Sequence, residues 1–164
     1  MDVINLSTKQ KQASNFINSL AKDYSKYTFR QGNQDHWSPA RQTIIYNPSK
    51  PLVELQYSVL HELAHAELGH KSYSSDIELV KLEAEAWQLA AALGKKYKID
   101  ISNDHIQNCL DTYRDWLHRR SACPTCGLRT VQTDHQHYEC FNCRTKWAVS
   151  GDRFSRAYRK TKGL

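Results

Sequence analysis

The chain has 164 residues and a mass of 19.0 kDa, enough for one domain of ordinary size and a small appendage. Hydrophobic residues make up 40% of it and charged residues 24%, which indicates a globular protein and excludes a disordered or fibrous one. Because no 18 consecutive residues are apolar and the first residues lack an apolar signal sequence, we expect a soluble, cytoplasmic protein with no membrane partner.

The spacing of apolar residues predicts four helices, over residues 7–24, 55–70, 76–97 and 102–119. Residues 42–46, which are rich in β-branched and aromatic residues and run into Asn47 and Pro48, predict a strand followed by a turn. Asp76 is a candidate cap for the third helix, and Arg119 and Arg120 suit the C-terminal end of the fourth. We therefore expect an α+β fold that is mostly helical and has a small sheet.

The string HELAHAELGH, residues 61–70, contains an HExxH motif inside the second helix. His61 and His65 are four residues apart, so both imidazoles leave the same helix face and can hold one Zn²⁺. Glu62 follows the first histidine and can act as a general base without being a ligand. Since zinc acidifies water and polarises a carbonyl, this pattern favours peptide hydrolysis.

A catalytic zinc needs a third protein ligand and an open fourth position. The nearby candidates are His70, Asp76, Glu83 and Glu85. His70 lies nine residues after His61, one short of the metzincin spacing, and is better explained as a polar residue at a helix end. Glu83 and Glu85 are about 200° apart on one helix, so only one of them can face the histidines. Candidates to stabilise the oxyanion are Tyr46, Tyr57, Tyr73 and His70.

Roughly residues 40–95 resemble the ImmA/IrrE family of zinc metallopeptidases, in the segments QTIIYNP, YSVLHELAHAELGH and ELVKLEAEAWQLAAAL. In that family a strand ending in Asn-Pro precedes the HExxH helix, and a later helix has the form ExEAxxFAxxL. The resemblance implies a zincin-like core, Glu83 as the third ligand, and DNA-bound repressors as the usual substrates. The chain departs from the family at Trp87, where Asp or Asn is common, so an acidic partner for a ligand histidine is absent or supplied elsewhere.

Two CxxC pairs near the C-terminus predict a second, structural zinc site of the zinc-ribbon type, so that we expect two Zn²⁺ per chain. The pairs enclose 13 residues, and residues 130–133 and 137–139 are predicted to form a hairpin, with residues 146–149 as a last strand. The predicted ligands are Cys123, Cys126, Cys140 and Cys143.

The positive charge of the chain is concentrated near the C-terminus. Residues 121–164 hold 8 basic and 3 acidic side chains, against 15 and 14 in residues 1–120. We expect a metallopeptidase domain over residues 1–120, a zinc ribbon over residues 121–150 and a basic tail over residues 151–164. On a helical tail, one face would carry the candidate nucleic-acid ligands Arg153, Arg156, Arg159 and Lys160.

These features favour a zinc endopeptidase whose substrate is a protein, and a DNA-associated protein such as a repressor is the candidate. They leave the oligomeric state open. An SprT-like protease is the first alternative, because that family also places a zinc ribbon after an HExxH domain. Its third ligand is a histidine well beyond the motif, whereas this chain has none between His70 and His105. The second alternative is a non-catalytic zinc-ribbon module that binds DNA or protein.

Overall fold

The computed structural model of the chain describes the backbone of residues 2–150 and 159–161, and side chains from residue 8 onwards within these ranges. The described residues form four α-helices and two small sheets, which confirms the α+β class. The helices are α1 (Asp2–Asp23), α2 (Leu52–Glu67), α3 (Asp76–Lys96) and α4 (Asn103–Ser121). The strands are β1 (Thr28–Gln31), β2 (His36–Ser38), β3 (Thr43–Tyr46), β4 (His137–Glu139), β5 (Lys146–Val149) and β6 (Arg159–Lys160).

The first sheet has the order β1-β3-β2, with β1 parallel and β2 antiparallel to β3. The central strand β3 is the one predicted from the sequence, and Ile44 within it is completely buried. The edge strands β1 and β2 were not predicted, because they are short, contain no buried residue and so lack the alternation that marks a half-buried strand. Their pairing with β3 makes them strands.

The second sheet has the order β4-β5-β6, and both pairings are antiparallel. The predicted hairpin partner of β4, residues 130–133, pairs with it through an antiparallel bridge between Gln132 and Tyr138 and a hydrogen bond from Thr133 N–H to the His137 carbonyl, but it forms no strand. Instead β4 pairs with β5, and Tyr138 stacks on Trp147 with ring centroids 5.4 Å apart. These two rings are fully buried beside two of the cysteines and supply most of the small core there.

The chain divides into two compact units, the first formed by residues 1–71 and 85–102 and the second by residues 72–84 and 103–164. Helix α3 runs through both ranges, so one continuous helix contributes its N-terminal part to the second unit and its C-terminal part to the first. The most deeply buried large side chains of the first unit are aliphatic and include Leu20, Ile44, Leu55, Leu60 and Leu63. None of the helices in the described residues is long and apolar enough to cross a membrane.

A buried ion pair organises the second unit. Arg120, at the end of α4, donates from Nε to Asp76 Oδ2 at 2.6 Å, and both side chains are almost completely inaccessible. Tyr138 donates a hydrogen bond to the same carboxylate oxygen at 2.5 Å. Burial and, after it, this bond raise the pKa of Tyr138, which keeps its hydroxyl protonated as the donor. The Arg120 guanidinium also lies 4.4 Å from the Trp116 ring.

Candidate metal centres

Helix α2 carries the two predicted histidine ligands on one face. His61 Nε2 and His65 Nε2 lie 3.1 Å apart, with the two rings edge to face. Two nitrogens that bind one tetrahedral Zn²⁺ at 2.0–2.1 Å are separated by about 3.3 Å. The imidazoles therefore converge as two ligands of one metal ion would.

Glu83 of α3 is the carboxylate that joins the two histidines. One ligand atom from each of His61, His65 and Glu83 lies within 4.8 Å of the others. Glu83 is buried, with 6% of its surface exposed, and a buried carboxylate is costly unless a cation or hydrogen-bond donors compensate it. Two imidazoles and a buried carboxylate form a donor set that fits Zn²⁺ and leaves a fourth position for a water molecule or a substrate.

Glu62 follows His61 in the chain, and its carboxylate is held by a hydrogen bond from the first sheet. The backbone N–H of Trp37, in edge strand β2, donates to Glu62 Oε2 at 2.7 Å. The sequence alone does not predict this contact, since β2 has no recognisable pattern. One carboxylate oxygen is thereby fixed, which restricts the orientation of the other.

The other candidates for the third ligand lie outside this group. The carboxylate of Asp76 is hydrogen-bonded to Arg120 and Tyr138, so this candidate is engaged elsewhere. His70 contacts His65 on the far side of the ring, with their Nδ1 atoms 2.9 Å apart. Glu85 Oε2 lies 3.6 Å from His70 Nε2, so Glu83 and Glu85 do point in different directions, as their spacing on the helix predicts.

Trp87 lies flat against His61, with ring centroids 4.2 Å apart and an interplanar angle of 26°. The indole therefore packs against a predicted ligand. Trp87 occupies the position where Asp or Asn is common in the ImmA/IrrE family. Its effect on His61 is to confine the ring by stacking.

One of the oxyanion candidates is engaged elsewhere, because the Tyr57 hydroxyl donates to the Asp100 carbonyl at 2.8 Å. Tyr73 has its ring centroid 5.9 Å from that of His135, in the second unit. Tyr46 is buried in β3.

The four predicted cysteines form the second candidate metal centre, with their sulfur atoms within 4.8 Å of one another. Sγ atoms are 3.5 Å apart for Cys123 and Cys143, and 3.6 Å apart for Cys126 and Cys140. A disulfide requires about 2.05 Å. Four thiolates around Zn²⁺ at 2.3 Å are about 3.8 Å apart, which is close to what is observed. We call this group the four-cysteine site.

The two CxxC turns are built alike. Gly127 N–H donates to the Cys123 carbonyl and Arg144 N–H to the Cys140 carbonyl, each at 2.9 Å. Both donors follow the second cysteine of their pair and have positive φ, 74° and 61°. Glycine suits this conformation, whereas Arg144 adopts it at a cost, which indicates that the turn geometry is imposed by the site.

Hydrogen bonding favours the thiolate at one of these cysteines. The Thr145 hydroxyl lies 3.2 Å from Cys143 Sγ, and this bond, with the Thr145 backbone N–H, lowers the pKa of the Cys143 thiol to about 6. The thiolate is the form that binds metal ions.

The basic tail is described only in part. Arg153 and Arg156 lie outside the described residues. Arg159 and Lys160 are exposed in β6, antiparallel to β5, and not on a helix, so the expected helix face is wrong at these two positions. A guanidinium nitrogen of Arg159 donates to the Ala122 carbonyl, which leaves Lys160 as the more accessible charge of the pair.

His61, His65 and the buried Glu83 converge, and Glu62 follows His61 in α2. This arrangement is typical of mononuclear metallopeptidases. The chain belongs to the IrrE N-terminal-like domain family, Peptidase_M78, whose family model matches residues 15–97. This finding confirms the resemblance noted above. No curated protein and no solved structure matches the chain.

Proposed function

We propose that this protein is a zinc-dependent endopeptidase in which His61, His65 and Glu83 hold the metal and Glu62 is the general base. The observation that carries the proposal is the convergence of ligand atoms from His61, His65 and Glu83, with Glu62 directly after His61 in the same helix. When bound, Zn²⁺ supplies Lewis acidity that polarises the scissile carbonyl. The four-cysteine site holds a second, structural zinc.

Glu62 takes a proton from the attacking water and then delivers it to the leaving amine. Its carboxylate is pre-oriented by the N–H of Trp37, so that little reorganisation is needed when substrate binds. The buried surroundings of His61 and Glu83 exclude bulk water from the ligand side of the site. The proximity of Glu83 to both histidines favours this proposal over an SprT-like protease, whose third ligand is a histidine.

Zinc content tests the ligand assignment. We expect two zinc ions per chain in the wild type, and one in Glu83→Gln or His61→Ala, because each removes a ligand of the catalytic site. Glu85→Gln should retain both, since this carboxylate faces His70 and not the ligand group. Metal analysis of purified protein after dialysis gives the counts. If Glu85→Gln loses one zinc ion and Glu83→Gln loses none, the third ligand has been assigned to the wrong glutamate.

The substrate we propose is a protein associated with DNA, and the basic C-terminal region supports this. Five basic residues and one acidic residue lie in residues 151–164, and Lys160 is exposed in β6. Binding of DNA by these side chains would rest on phosphate neutralisation, which concentrates the enzyme where such substrates are found.

Salt dependence tests the proposed DNA contact. With three to five phosphate contacts, log K for duplex DNA should fall against log salt with a slope of about −2.7 to −4.5. Replacing three tail residues by Gln should reduce this slope by about two to three units. Point changes are preferable to truncation, because removal of β6 would also expose the edge of β5. The residues to replace are Arg153, Arg156 and Lys160.

The matched control also removes three positive charges, but from exposed lysines elsewhere in the chain. It should keep the wild-type slope if the tail makes the contacts. Equal slopes in both triple variants, or no binding of DNA by the wild type at low salt, would contradict the proposal. The control residues are Lys11, Lys22 and Lys98.

A further inference from the structure

After the C-terminal end of α2 the backbone turns back, so that the His70 ring contacts the His65 ring. Gly69 has a φ of 71°, and His70 N–H donates to the His65 carbonyl at 3.0 Å, which closes the helix. The Trp37 indole N–H then donates to the His70 carbonyl at 2.9 Å. The backbone of His70 is thus anchored at two points, and its ring is placed against a predicted metal ligand.

The hydrogen bond between the two rings has a direction that follows from metal ligation. His65 Nε2 is the nitrogen that faces His61 Nε2, so Nε2 is the ligand atom and the ring proton resides on Nδ1. His65 Nδ1–H therefore donates to His70 Nδ1, 2.9 Å away. With its Nδ1 lone pair occupied, neutral His70 carries its proton on Nε2, which faces Glu85 Oε2 at 3.6 Å.

We propose that His70 is a positioning residue for the metal site, and that it holds the tautomer and ring orientation of His65 while Glu85 orients His70 in turn. The inference rests on the proposed zinc site and goes beyond it by assigning a role to two residues that are not ligands. Through this series of contacts, His70 is the partner that orients the ligand His65. Trp87, at the position where the family commonly has Asp or Asn, stacks on the other ligand histidine, His61.

The two residues that are not ligands, His70 and Glu85, contribute unequally. The His70 side chain is 11% exposed, whereas that of Glu85 is 41% exposed, so solvent screens the outer contact far more than the inner one. Glu85→Gln also keeps an oxygen that can accept a bond from His70 Nε2–H. Most of the effect is therefore expected at His70.

The test is the affinity for Co²⁺ of the site formed by His61, His65 and Glu83, which we call the nitrogen and oxygen site. Co²⁺ bound there has visible absorption bands that differ from the sulfur-to-metal bands of the four-cysteine site. His70→Phe keeps an aromatic ring but removes the acceptor, and we expect affinity to fall about 10-fold to 100-fold. In His70→Asn the amide oxygen takes the place of Nδ1, so affinity should return to within a few-fold of the wild type. His118→Phe, at an exposed histidine of α4, should change nothing.

Each outcome decides between the two proposals. If the wild type shows no nitrogen and oxygen site for Co²⁺, the proposed function fails. If the wild type binds Co²⁺ there and His70→Phe binds it equally well, only the role of His70 is refuted. Should His70→Phe fail to fold by circular dichroism, His70→Ala replaces it with the same expectation, since it also removes the acceptor without inserting a larger side chain.

Discussion

Replacing Glu62 by Gln should lower the rate of peptide hydrolysis by about 10²–10⁴ and leave the fold and the zinc content unchanged. The amide keeps the shape of the side chain and its oxygen can still accept the hydrogen bond from Trp37 N–H, but it cannot take a proton from water. Because Glu62 is not among the grouped ligand atoms, the metal should stay in place. The measurement is the initial rate of cleavage of a protein substrate at equal zinc occupancy.

The matched control is Glu54→Gln, which makes the same change at an exposed position in the first turn of α2. It should cleave at the wild-type rate. If Glu62→Gln also cleaved at that rate with its zinc retained, Glu62 would not be the general base and the proposed mechanism would be wrong.

The second large effect is expected on stability, at the buried ion pair between Asp76 and Arg120. Arg120→Met removes the guanidinium but leaves the Asp76 carboxylate inaccessible to water, with the Tyr138 hydroxyl as its remaining side-chain donor among the bonds described above. Breaking a buried pair in this way costs about 3–5 kcal/mol, because the remaining charge is not compensated. The measurement is the free energy of unfolding in urea, with the four-cysteine site loaded with zinc.

Two further variants show whether the charge itself is responsible. The double variant Asp76→Leu, Arg120→Met removes both charges and should recover a large part of the loss. Arg114→Met breaks an exposed pair with Asp111 on the same helix and should cost less than about 1 kcal/mol. If Arg120→Met cost no more than Arg114→Met, the ion pair would not be what stabilises this unit.

Local patterns in the chain were sufficient to predict the helices, the central strand, the histidine pair of α2 and the group of four cysteines. Apolar spacing along a helix and the four-residue separation of His61 and His65 are properties of the helix itself, so they need no tertiary information. The same holds for CxxC pairs, because a tight turn brings two nearby thiols together. The choice of Glu83 over Glu85 came from the family resemblance, since spacing alone showed only that the two differ in direction.

Contacts between residues far apart in the chain were decided by packing, and the local patterns had no means of predicting them. Edge strands β1 and β2 exist because β3 offers them hydrogen bonds, and β2 in turn holds Glu62 through Trp37. His70 looked like a polar residue at a helix end until the turn at Gly69 brought its ring to His65. Asp76 and Arg120 are 44 residues apart and each seemed suited to a helix terminus, yet burial makes them partners, because a charge removed from water requires an opposite charge or a hydrogen-bond donor beside it.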